Sequence, residues 1–417
     1  MERRALGLLQ ERLAAEPVIA LHGPRSVGKS TLLRQLARAR GVEVIDLDDP
    51  ATRDAVAADP ATFVGGREPV CIDEYQKVPL LLDAIKAELN WDTHPGRYVL
   101  TGSTRYATLP QAAQSLTGRL HVMTVLPLSQ GEIAGVREDR LEVLFADPQA
   151  GVRGPVSATT RATYLERVAG GGFPLALGRS AGAARARWFD DYVGLTLERD
   201  VRELSKLRQR DQLPRLLAGL AGQTAQLLNV AAAARKAGVE ERTAEEYLKL
   251  LEAVFLVERL PAWGTTLRAR ASARPKIHVV DSGLAARLLR LTPDKLARLD
   301  PTSLTELGHL LETFVVWEVL KQARWMEGVA GVGHWRTGDD DEVDLVVERD
   351  DGAVVAIEVK AGSRVAPNQL KGLRKLRDAL GDAFVAGVAF NTGARAYPIE
   401  DRIHALPIDY LWTPVRQ

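Results

Sequence analysis

One cysteine and no long apolar run are what this chain most plainly lacks. Cys71 is the single cysteine among 417 residues, so no internal disulfide can form. Its place in the apolar stretch Pro69-Val70-Cys71-Ile72 suits a small buried hydrophobe better than a catalytic thiol. No stretch approaches the roughly 18 consecutive apolar residues of a membrane span, and the stretch from Met1 to Leu6 has no signal-peptide apolar segment. The expectation is a cytoplasmic protein with no membrane partner, compatible with association with the nucleoid. A charge excess is missing too: the formal net charge is +1, so any nucleic-acid footprint must be local. His278, His309 and His404 show no linked spacing of the kind a zinc site needs. What remains, 46% hydrophobic and 26% charged residues, is ordinary for a folded globular chain. Its 417 residues exceed what one core normally serves, which predicts two or three domains.

Against that plain background stands Gly23-Pro24-Arg25-Ser26-Val27-Gly28-Lys29-Ser30, a full G-x-x-x-x-G-K-[ST] P-loop. Val18-Ile19-Ala20-Leu21 before it reads as a buried parallel strand, and Thr31 to Ala37 after it as an apolar-striped helix. Gly23 and Gly28 permit turns and close phosphate approach, letting successive amides point at an anion. Lys29 would reach the β- and γ-phosphates of ATP, and Ser30 would offer a hydroxyl to Mg²⁺.

The P-loop needs an acidic partner at the end of a neighbouring strand. Pro69 to Glu74 supplies it: Asp73 can hold Mg²⁺ directly or through water, and Glu74 can polarise the attacking water. Val42 to Leu47 reads as a further strand, with helical material up to about Phe63. Arg97 to Ser103 is a short strand ending in small polar residues, where Thr101 or Ser103 could position water, or Ser103 or Thr104 could cap a helix. Arg119, with Arg105 as rival, can serve as an arginine finger across a subunit boundary; a salt-bridged surface arginine is the alternative for each.

These motifs, with Ile72-Asp73-Glu74, Leu100-Thr101-Gly102-Ser103, Ser115 to Arg119 and Leu128-Ser129-Gln130-Gly131-Glu132, resemble those of the bacterial and archaeal AAA-type ATPases whose second half is a domain of unknown function. The resemblance covers residues 1 to about 145 and implies a RecA-like parallel sheet with helices on both faces. Alternating strands and helices lead independently to the same architecture.

From Asp139 to Thr160 the periodicity is poor and Gly, Pro and Asp are frequent, which predicts a linker or mobile insertion. Residues 185–207 read as a charged helix. Helices over Leu213–Leu220, Val230–Lys236 and Thr243–Leu251, then a strand over Phe255–Leu260, resemble a winged helix, in which a late helix can enter a major groove. That third helix carries Arg242 and Lys249 but also Glu241, Glu245, Glu246 and Glu252, so packing or protein contact competes with DNA contact. Lys276-Ile277-His278-Val279-Val280-Asp281-Ser282-Gly283-Leu284 matches the second half of the same ATPase group, with no chemistry assigned to it.

The last third is acidic in a patterned way. Glu312 sits in an apolar helix, Asp344 opens a strand, and Glu358 and Lys360 project from one face of the next strand across the Asp350-Asp351-Gly352 turn. Asp344, Glu358 and Lys360 resemble the D…E-x-K core of restriction-endonuclease-like domains, with Glu312 and Gln369 matching its flanking acid and polar residue. Val343-Asp344 stands where that family has Pro-Asp. The resemblance implies Mg²⁺ or Mn²⁺ held by Glu312, Asp344 and Glu358; a hairpin with solvated acids, or a nuclease fold kept only for binding, is the alternative. Arg364, Lys371, Arg374, Lys375 and Arg377 could guide a phosphate backbone, or form the wet face of a helix.

The expectation is therefore an α/β multidomain protein: an AAA-type ATPase over 1–145, a helical and winged-helix-like unit over 146–275, and a restriction-endonuclease-like unit over 276–417. Its expected work is ATP-driven remodelling or translocation of branched or single-stranded DNA by a homo-oligomer with a trans arginine finger, with metal-dependent nuclease activity open. A nucleotide-dependent protein-binding switch, or a chaperone-like ATPase with an inert nuclease-like domain, is the alternative.

Overall fold

Runs of branched and aliphatic residues at Val18–His22, Val44–Asp46, Val70–Asp73, Tyr98–Gly102 and Leu120–Thr124 form strands β1 to β5. They do so in a computed structural model that describes residues 3–103, 116–201, 211–266, 274–298, 300–339 and 341–415. The strands lie in the order β2-β3-β4-β1-β5, and every neighbouring pair is parallel. Alternation along the strands divides the packing. Ile19, Leu21, Cys71 and Val99 share a core with helices α1 (Arg4–Leu13) and α2 (Lys29–Arg40), whereas Val18, Ala20, Ile72 and Leu100 share one with α3 (Leu80–Trp91). A sheet buried on both faces brings the C-terminal ends of its strands to one edge. The P-loop, Asp73 and Ser103 lie side by side there.

The linker expected over 139–160 is instead structured. Helix α4 (Arg140–Ala146) carries Arg140, which is fully buried. Its guanidinium donates to the carbonyl oxygens of Tyr410 at 3.0 Å, Gly151 at 2.8 Å, and Arg153 and Thr413 at 2.9 Å. Four neutral acceptors satisfy one buried cation and pin the segment to the chain's last turn. A solitary buried arginine leaves no periodic signal, which is why composition misread it.

Helices α5 (Gln212–Ala221), α6 (Val230–Ala237) and α7 (Glu241–Ala253) surround a small antiparallel sheet of β6 (Gln226–Leu227), β7 (Val257–Leu260) and β8 (Lys276–Val279), ordered β6-β8-β7. The boundary expected at 275 cuts through this sheet, since β8 is its central strand. The charged helix expected over 185–207 is described to Val201; its remainder, with Thr104, Arg105 and Ser115, lies outside the described residues.

Beyond helix α8 (Pro301–Trp325) come β9 (Val329–Arg336), β10 (Glu342–Arg349), β11 (Val354–Lys360), helix α9 (Lys371–Leu380), β12 (Phe384–Asn391), β13 (Tyr397–Glu400) and β14 (Ile403–Pro407). Their order is β13-β14-β12-β11-β10-β9, with β9, β10 and β11 antiparallel and β11, β12 and β14 parallel. The β10–β11 hairpin turns at Gly352, whose φ of 83° suits a residue without Cβ. Val355 and Ile357 sit in the core as the alternation predicts. Among the described residues no helix is long and apolar enough to cross a membrane.

Candidate functional site

Gly23 leaves β1 with a φ of 148°, and a Cβ there would lie 2.0 Å from the carbonyl oxygen of Val125. Only glycine lets the loop pass the end of β5. Gly28, with a φ of 96°, turns the chain into α2, so that Lys29, Ser30 and Thr31 occupy the helix's first turn. Arg3 braces the loop from outside: its guanidinium donates to the carbonyls of Val27 at 2.9 Å and Leu126 at 2.8 Å and pairs with Glu132 at 3.1 Å. The buried ammonium of Lys29 donates to the carbonyl oxygens of Gly23 and Pro24, each at 2.8 Å. Both acceptors are neutral, so a phosphate oxygen can replace them at a gain in charge pairing.

Across the strand ends, the Thr101 hydroxyl donates to Asp73 and accepts the Glu74 amide at 3.2 Å. Glu74 itself stands at φ 55°, a left-handed conformation uncommon for a glutamate. Its carboxylate accepts from the Gln76 amide and, at 3.4 Å, from the Ser103 hydroxyl. Ser103, expected to position water or cap a helix, stands beside that carboxylate. Beneath them His22 meets the Tyr75 hydroxyl at 2.9 Å. Burial, then the nearby Lys29 charge, pushes the His22 pKa down to about 3, so the ring is neutral. Gln76, His22 and Tyr75 carry no motif and were missed; a polar residue two positions after the acidic pair was the one available signal.

The C-terminal acids are brought together by a residue to which the sequence assigned no chemistry. Lys276, 1% exposed, places its ammonium 2.6 Å from Glu312 and 3.1 Å from Asp344, and also pairs with Glu342. The second oxygen of Asp344 accepts the Val359 amide at 2.8 Å. Lys360 donates to Glu358 at 2.5 Å, confirming that the two share a face, while the other Glu358 oxygen is buried without a partner. Burial and then the Asp344 charge raise the Glu312 carboxyl well above the usual range, and the same two causes push Glu358 up to about 8. Burial works against charge on Lys276, but Glu312, Asp344 and Glu342 outweigh it and raise its pKa.

Residues 15–134 match a family model described as an AAA domain. The N-terminal unit is an AAA-type P-loop ATPase domain. Residues 161–295 and 307–411 match two models described as domains of unknown function. Uncharacterised proteins of Mycobacterium tuberculosis and Mycobacterium bovis are each 29% identical over 418 residues, covering 99% of this chain and 85% of theirs. Among solved structures, the Walker-type ATPase of Pyrococcus abyssi overlaps 68% of this chain and 94% of its own at 16% identity and a TM-score of 0.42. The RuvB Holliday junction branch migration motor of Thermotoga maritima overlaps 62% and 88% at 20% identity and a TM-score of 0.25. Overlaps this loose carry no argument.

The ATPase domain is an ATP-hydrolysing unit, and its parallel sheet is the RecA-like arrangement the resemblance implied. Mg²⁺ use is consistent with it: the Ser30 hydroxyl in the first turn of α2 and the Asp73 carboxylate at the end of β3 are hard oxygen donors. Arg119 lies at the opposite edge of the ATPase sheet, just before Leu120, which pairs with the first residue of β1; its guanidinium donates to Asn90 at 2.8 Å. It therefore does not reach its own chain's P-loop. Arg199, unmarked by any motif, comes within 4.0 Å of Asp48 beside that loop.

Two expectations for the C-terminal unit need correction. Among the described residues no group of three or more His, Cys, Asp or Glu side chains is placed to hold a metal ion, because Glu312 and Asp344 converge on Lys276. Gln369 does not join them: it is exposed, and its side-chain oxygen accepts the Ala366 amide at 2.9 Å. The basic segment is largely neutralised at home as well. Lys371 and Lys375 pair with Asp341, while Arg374 and Arg377 pair with Glu400.

Proposed function

We propose that this chain is an ATP-driven remodelling protein whose ATPase cycle acts on DNA, branched or single-stranded, through the middle unit. The observation that carries it is the order helix, strand, helix, helix, strand, strand among the described residues of 212–279, the order of a winged helix, in the same chain as an assembled ATPase site. In the cycle, Lys29 exchanges its two carbonyl partners for phosphate oxygens, and Ser30 and Asp73 would hold Mg²⁺, which neutralises charge on the phosphates. Glu74, fixed by Gln76 and Ser103, polarises the attacking water. Because Arg119 lies away from its own site, its role as an arginine finger belongs to a neighbouring subunit's nucleotide in a homo-oligomer. The sheet over Val329–Pro407, with Asp344, Glu358 and Lys360 on adjacent strands, supports a restriction-endonuclease-like unit retained for binding.

The test is the ATPase rate of the full chain alone and with single-stranded, duplex, forked and four-way DNA. Stimulation of several-fold by one DNA form, with little by the others, supports the reading. A rate indifferent to all four favours the second one, a nucleotide-dependent protein-binding switch or chaperone-like ATPase. The acidic face of α7 favours that second reading: Glu245 and Glu252 already pair with Arg259 at 2.8 and 2.6 Å, and Glu246 lies opposite Arg242 at 3.8 Å.

A further inference from the structure

The acid cluster opens into a cleft of about 460 Å³ lined by Gln226, His309, Glu312, Arg336, Asp344 and Glu358, among others. A cluster of this kind ordinarily asks for a divalent cation. Here the donor set does not fit one. Both oxygens of Asp344 are engaged, by Lys276 and by the Val359 amide, and Glu312 is turned to Lys276. Glu358 keeps one buried oxygen without a partner, beside the ammonium of Lys360. Mg²⁺ takes one or two carboxylates and completes its six positions with water, but the carboxylates it would use here already face an ammonium.

The cation that the carboxylates surround is already covalently present. Separations of 2.6 and 3.1 Å from nitrogen to Glu312 and Asp344 are those of charge-assisted hydrogen bonds, in which a three-donor ammonium meets three carboxylates. Lys276 comes from β8, the central strand of the middle sheet, paired on both sides by β6 and β7. That pairing fixes the backbone from which the ammonium reaches the acids. Repulsion between it and a dication in the same cleft would be severe at such short range.

We propose that Lys276 is the resident cation of the C-terminal cleft, a tethered ammonium standing where a divalent metal would otherwise bind, so that the acid cluster is organised without metal. This goes beyond the remodelling reading and holds whether or not DNA is the partner. It gives the Lys276 to Leu284 segment its chemistry. The positive end of β8 closes a three-carboxylate socket formed by α8 and β10, and the same contact latches the middle sheet onto the C-terminal unit.

The experiment is a Mn²⁺ titration of the nucleotide-free full chain, followed by the paramagnetic resonance of free Mn²⁺. The proteins are wild type, Glu358→Gln, Lys276→Met and the double variant Lys276→Met/Glu358→Gln. The wild-type and Glu358→Gln curves should coincide up to about 1 mM metal, showing that the cleft holds none. Lys276→Met should gain one site binding at least roughly tenfold more tightly than anything the wild type shows, and the double variant should lose it. A wild-type Mn²⁺ site that disappears in Glu358→Gln overturns the proposal, as does a folded Lys276→Met that gains no site. Should Lys276→Met not fold, the first pair of curves still decides. Neither comparison depends on DNA or on ATP turnover.

Discussion

Two of the buried lysines, Lys29 and Lys276, are prepared for opposite tasks. Lys29 donates to the neutral carbonyls of Gly23 and Pro24, two acceptors that an arriving phosphate can replace at a gain in charge pairing. Lys276 rests among Glu312, Glu342 and Asp344, so its charge is consumed inside the protein. A motif that names only residue types would treat the two alike. The acceptor's charge separates a lysine that awaits an anion from one that replaces a metal.

The sharpest way to break this contrast is stability. Lys276→Met should destabilise the protein by about 3–5 kcal/mol, because the buried Asp344 and the partly buried Glu312 and Glu342 lose their cation. Lys29→Met should shift stability by at most about 1 kcal/mol, because two carbonyls lose a partner they can exchange. Chemical denaturation of both variants checks the pair, and equal losses would end the distinction.

Turnover should invert the ranking. Lys29→Ala should weaken nucleotide use and cut hydrolysis by about a hundredfold or more, whereas Glu74→Gln should keep nucleotide binding while slowing hydrolysis to a similar degree. Nucleotide binding and turnover measured side by side separate them; unchanged turnover in both variants rules out the site.

A smaller effect concerns the other end of the sheet. Arg119→Ala should lower turnover roughly tenfold or more if it serves a neighbour's phosphate. Mixing it with Lys29→Ala should then give more activity than either protein alone, provided subunits exchange. A chain that stays monomeric with ATP and DNA excludes the shared site.

The last comparison is a pH slope. His22 stays neutral in the folded chain down to about pH 3, whereas in the unfolded chain it takes a proton near its ordinary 6.5. Its contribution is fully present above pH 6.5 and is lost as pH falls toward 3, at about 1.4 kcal/mol per unit inside that window. Thermal unfolding between pH 7 and 4 should show a shallower decline in His22→Gln than in wild type. Parallel curves would mean that His22 is protonated when folded.

The ATPase site was legible because its chemistry is local. Gly23 to Ser30 is one turn, and Asp73-Glu74 and Thr101 to Ser103 are strand ends whose apolar runs announce them. The C-terminal hairpin was legible for the same reason, through the alternation Val355, Ile357, Val359 and the Asp351-Gly352 turn. Arg140 and Gln76 were not, because each gains its role from partners that sequence distance conceals.

By itself the sequence determined the nucleotide chemistry, the strand-and-helix alternation and the lack of a disulfide, since each follows from adjacent residues or from composition. Only the tertiary structure decided what the acids Glu312, Asp344 and Glu358 face. Lys276 precedes Asp344 by 68 positions and belongs to another sheet. Whether carboxylates hold a metal or a lysine depends on which cation the fold delivers to them, and that delivery is a matter of packing.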